Sequence, residues 1–176
     1  MSQRATQLSL CVQFACGDEG LPRSIARNFP TRSQIRSWVQ SALRSQKGEI
    51  AKIGKTAVRT AQITVRFVDE DEGRTLNRDY RSRNYATNVL SFPYEEAPNL
   101  MGDLVLCLPV LQAEAKAQKK TVRAHCAHLL VHGVLHLQGY DHETGDADAE
   151  YMEALECRIL ARLGFANPYA QGHHPG

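Results

Sequence analysis

The chain has 176 residues, 43% of them apolar and 23% charged, enough for one packed core and short for two. That balance excludes disorder as the default state, and no apolar run approaches the roughly 18–20 residues of a membrane helix. The net charge of +2 hides an asymmetry: residues 1–83 carry 15 Lys/Arg against 8 Asp/Glu, and residues 84–176 carry 6 against 11.

The start, MSQRATQLSLCVQF, has no apolar stretch resembling a signal peptide, so the expectation is a soluble, unexported protein. Five scattered cysteines without a C-x-x-C pair argue against a disulfide framework and against a cysteine zinc site. Reduced thiols in a cytosolic protein are expected.

Residues 7–14 (QLSLCVQF) alternate apolar and polar with period two and predict a half-buried strand. Thr31 and Gln34 make a capping box ahead of Ile35, Trp38, Val39, Ala42 and Leu43 at helical spacing. The segment from Lys47 to Thr60 has no clear period and reads as a loop. Ile63, Val65 and Phe67 alternate in a second strand, and the acidic run DEDEG opens a helix continued by RTLNRDYR. TNVLSFPYE reads as a third strand closed by Pro93 and Pro98. GDLVLCL, almost continuously apolar, predicts a fourth strand buried on both faces.

A helix from about Pro109 to Lys120 follows, with proline in the first turn. Thr121 then opens a largely apolar helix reaching Gly139, which is expected to be central. The last helix, roughly 147–163, carries Met152, Leu155, Ile159 and Leu163 at helical spacing and ends at Gly164. The tail from residue 170 reads as mobile. The fold class predicted is α+β: a single domain over residues 1–169 with a small mixed sheet of about four strands packed by helices.

All seven histidines follow position 124, and five of them (His125, His128, His132, His136, His142) fall within 18 residues. His132 and His136 are four apart on the predicted helix, so both rings leave one face and can grip one metal ion. Gly139 lets the chain turn back, and His142 can supply a third ligand. The string HGVLHLQGYDH has the metal frame of the metzincin peptidases, with Gly133 where those enzymes carry the glutamate general base. Three histidines leave a fourth position open, as a catalytic zinc needs, although nickel, cobalt or copper suit the same nitrogens. His128 lies eight residues before His136, about 12 Å of helix rise, too far to share one ion, so it reads as a support for a ligand, a substrate contact or a core residue, and His125 as a structural residue. Asp141 suits a turn, the orientation of a histidine or the movement of a proton.

The segment HLLVHGVLHLQGYDH, with LNRDYR, TNVLSF and GDLV upstream and EALECRILARLGFANPY downstream, resembles the YbeY family of bacterial metal-dependent endoribonucleases. The resemblance covers residues 61–169. It implies zinc (Zn2+) on His132, His136 and His142, with Arg81 matching the family's functional arginine. It further implies a zinc cleft on a small sheet with packed helices, and a cytoplasmic role in maturing the 3′ end of small-subunit ribosomal RNA and in ribosome quality control. Single-stranded RNA and ribosomal proteins are the implied partners. The chain departs from the family in the basic segment around residues 44–60 and in the HHPG tail.

Between residues 20 and 66 ten Lys/Arg face the single acid Glu49, a balance suited to a polyanion. Only Phe29 and Trp38 interleave that stretch, which predicts phosphate contacts more than base stacking. The alternatives are a non-catalytic ribosome-assembly RNA-binding factor with a structural zinc and, least favoured for want of the glutamate, a zinc peptidase.

Overall fold

Four strands form one mixed sheet in the computed structural model, which describes residues 5–16, 20–44, 55–141 and 145–170. Strands β1 (Gln7–Ala15) and β2 (Thr60–Val68) run parallel, β3 (Val89–Glu95) is an edge strand, and β4 (Asn99–Cys107) lies between β2 and β3. β4 is parallel to β2 and antiparallel to β3. The helices are α1 (Arg23–Ala26), α2 (Arg32–Arg44), α3 (Glu70–Arg81), α4 (Leu108–Ala117), α5 (Val122–Leu137) and α6 (Asp146–Arg162). Every predicted element is present to within a few residues. The short α1, inside a turn-rich stretch, has no periodic signature long enough to announce it.

The local signals act as the sequence suggests. The Thr31 hydroxyl accepts from the Gln34 amide at 3.2 Å, and the Gln34 side chain accepts from the Thr31 amide at 3.0 Å, a reciprocal box that starts α2. Asp69 caps α3 by accepting from the Glu72 amide, and Thr121 caps α5 by accepting from the Ala124 amide. One expectation is corrected: Pro93 does not end the third strand but lies inside β3, paired with Gly102 next to a register shift. An edge strand tolerates the missing N–H, because one side of it has no ladder to feed.

β4 is buried on both faces, as its apolar run predicts. Leu104 and Leu106 join the main core, whereas Val105 and Cys107 join Val68 and Leu90 in a second cluster with Leu76 of α3 against it. The main core is closed by α2, α5 and α6. α5 is buried almost all round, including His125, His128 and His132, as an apolar helix without a polar face must be. Among the described residues no helix is long and apolar enough to cross a membrane.

Part of the basic first half has a structural task. Arg32 Nη1 donates to the Val12 carbonyl at 2.6 Å and Arg36 Nη2 to the Leu8 carbonyl at 2.8 Å, covering the open edge of β1. Arg66 pairs with Glu72 at 2.8 Å. Of the segment read as a loop, residues 55–59 have neither helix nor strand; 45–54, like the tail 171–176, lie outside the described residues.

Candidate active site

His132 and His136 project from the C-terminal half of α5 into a cleft of about 500 Å³. Its other walls are the end of α3 (Tyr80, Arg81), β3 from Val89 to Pro93, and the turn Gly139–Asp141. Residues far apart in the sequence, Arg81 and the histidine pair, therefore share one cavity. None of the described basic residues between 20 and 66 lines it.

The turn after α5 is built by its capping. The Tyr140 amide donates to the Leu135 carbonyl at 3.1 Å and the Gly139 amide to the His136 carbonyl at 2.9 Å, a Schellman pair that requires the left-handed φ of +85° found at Gly139. Lys55 Nζ donates to the Gly139 carbonyl at 2.5 Å and stands 4.5 Å from the centre of the Tyr140 ring. A cation at the negative end of the helix thereby fixes the turn that carries Asp141 to the cleft.

The His132 and His136 Nε2 atoms are 3.0 Å apart, with ring centroids at 4.5 Å. Two nitrogens on one tetrahedral zinc, each about 2.0–2.1 Å from it, stand about 3.3 Å apart, so the pair fits the edge of such a site. The opposite edge of His132 explains its orientation. Its Nδ1 lies 2.5 Å from Glu156 Oε1, and since a carboxylate only accepts, Nδ1 carries the proton and the Nε2 lone pair faces the cleft. Among the described residues no group of three or more His, Cys, Asp or Glu is arranged to hold a metal ion. The predicted third ligand, His142, lies outside the described residues.

Glu156 is the residue that sequence reasoning missed. It is 0% exposed, yet its carboxylate also accepts from His128 Nε2 at 3.2 Å and from the Tyr169 hydroxyl. Burial pushes the carboxyl up, but the hydrogen bonds from His128 and His132 outweigh it and hold the group down at about 2. Burial and the Glu156 charge push the Tyr169 hydroxyl well above its usual range, so it stays a donor. Burial lowers the His128 imidazole, which is turned to Glu156 rather than to the cleft. His125 is held by Glu114 at 2.7 Å. A signal for Glu156 existed: it falls on the buried stripe of Met152, Leu155 and Ile159, where an unpaired carboxylate is prohibitively costly.

Gly133 has a packing reason. A Cβ there would stand 2.8 Å from Leu104 Cδ2, and Leu104 is locked in the core. Gly133→Ala is expected to destabilise by about 1–3 kcal/mol, read as a lowered urea midpoint at unchanged slope. An unchanged midpoint would show that Leu104 yields freely. The glutamate of the peptidase frame has no room at this position.

Comparison with known proteins agrees with the motif reading. Residues 24–164 match the family described as Endoribonuclease YbeY. The chain belongs to the YbeY family. It is 52% identical over 168 residues to the Endoribonuclease YbeY of Burkholderia cenocepacia, covering 94% of this chain and 88% of that relative. The YbeY of Aromatoleum aromaticum is 52% identical over 166 residues, with 94% and 95% covered. A solution structure of a Thermotoga maritima protein superposes with a TM-score of 0.50 at 20% identity, covering 94% of this chain and 100% of that one, a likeness of fold alone.

Proposed function

We propose that the chain is a metal-dependent endoribonuclease that hydrolyses phosphodiesters of single-stranded RNA in maturing the 3′ end of small-subunit ribosomal RNA. The observation that carries this reading is the shared cleft: an arginine and two imidazoles with facing nitrogens line one cavity in a YbeY-family chain. In this reading His132, His136 and His142 hold zinc, residues 1–169 are one catalytic domain, and 170–176 are a tail. The protein works in the cytoplasm on the ribosome or with ribosomal proteins.

Zinc held there would supply Lewis acidity to a phosphoryl oxygen and lower the pKa of water from 15.7 to about 7. The chain's own residues do the remaining work. Arg81 offers a planar fork that never loses its charge and can hold two phosphoryl oxygens as negative charge develops. Glu156 keeps the His132 lone pair turned to the cleft, and the Gly139 turn brings Asp141 to the same wall.

The test is a labelled single-stranded RNA carrying the 3′ region of small-subunit ribosomal RNA, incubated with zinc-loaded protein beside a folded His136→Ala variant. Cleavage by the first alone is expected, together with loss of bound zinc in the second. If neither cuts, the non-catalytic assembly factor becomes the better reading. Cyclic phosphate ends would identify the RNA's 2′-hydroxyl as the attacking group.

A further inference from the structure

We infer that Tyr80, at the rim of the cleft, stacks an unpaired nucleobase of the strand whose phosphate Arg81 holds. The inference rests on the ribonuclease reading and adds a base-binding subsite to it. Tyr80 is 67% exposed, so core packing does not account for it, yet it lines the same cavity as Arg81 and the histidine pair. Its ring meets Phe92 of β3 at 4.9 Å between centroids and 69° between planes, an edge-to-face contact that holds the ring's orientation. Phe92 lines the cleft as well.

A nucleotide presents a flat π-face and an anion close together, and consecutive residues at the end of α3 present an aromatic ring and a guanidinium. Arg78, paired with Asp79 at 3.1 Å, and Arg83 lie in and just beyond the last turn of α3. Arg83 also donates to the hydroxyl of the exposed Tyr85 at 3.0 Å, keeping a second ring near that end of α3. In a duplex each base is covered by its neighbours above and below, so a ring at the cleft rim admits a base only from an unpaired strand. Stacking of this kind is tolerant of sequence, because every base has such a face.

The test is equilibrium binding, by fluorescence anisotropy, of a short cleavage-resistant strand with 2′-O-methyl riboses and phosphorothioate links. A matched strand carries abasic sites instead of bases. The wild-type protein should bind the abasic strand about tenfold more weakly. Tyr80→Ala and Tyr80→Leu should bind the normal strand about tenfold more weakly than wild type, bind the abasic strand as wild type does, and so lose the difference; Tyr80→Phe should keep it. Tyr80→Leu retains bulk against Phe92, so a loss shared by both variants belongs to the aromatic face and not to misfolding. An undiminished abasic penalty in the Ala and Leu variants overturns the inference. Wild-type protein that binds neither strand overturns the RNA reading itself, and the subsite with it.

Discussion

Glu156→Ala is expected to lower stability by about 3–5 kcal/mol, the range found when one partner of a buried charged network is removed. The carboxylate is fully buried and receives three donors, from His128, His132 and Tyr169. Alanine removes the acceptor that all three donors share. Glu156→Gln separates this structural cost from a positioning role. It preserves shape, but its amide nitrogen must face an N–H or O–H that previously met an oxygen, a cost of about 1–3 kcal/mol. With His132 as a metal ligand, zinc affinity should fall about 10- to 100-fold in the Gln variant, since the imidazole loses the partner that fixes its tautomer and raises its basicity. Chelator competition measures that affinity and urea unfolding measures the stability. Wild-type affinity in a folded Gln variant would reduce Glu156 to a core residue.

The parts of the site that were legible in the sequence are those written in local spacing. The pair His132 and His136 is four residues apart on a helix whose cap, apolar stripe and terminal glycine are all readable, and the facing nitrogens follow from that geometry. Arg81 was legible only through its place in LNRDYR, because nothing in an arginine-rich helix singles out the one side chain that reaches a distant cleft. Glu156 and Tyr169 come from other parts of the chain, and their meeting with α5 depends on how α6 packs, which no periodicity specifies. The basic stretch before residue 66 taught the opposite lesson. Its composition suits a polyanion, yet Arg32, Arg36, Lys55 and Arg66 are engaged with β1, the end of α5, and Glu72. The rings beside the cleft, the exposed Tyr80 and the half-buried Phe92, lie after that stretch.

Arg81→Ala is expected to reduce the rate of RNA cleavage at saturating substrate by about 10²–10³, the loss seen when one donor to developing charge is removed from a preorganised site. The effect should fall on kcat more than on KM. The fork is worth most when the phosphoryl group gains negative charge, whereas ground-state affinity is shared with other phosphate and base contacts along the strand. Arg81→Lys should recover only part of the rate: the ammonium restores charge, but not two parallel N–H groups in a fixed plane. Neither substitution should lower stability by more than about 1 kcal/mol, because Arg81 is an exposed residue in the last turn of α3. The loss of a cation from a helix C-terminus costs no more than about 0.3–1 kcal/mol, which sets the upper limit of any shift. Rapid-quench kinetics on a single-stranded substrate, beside urea unfolding of the same preparations, distinguishes the two quantities. An alanine variant that is fully folded, holds zinc and cuts at the wild-type rate would remove Arg81 from the chemistry and leave the histidine site to act with a different cation.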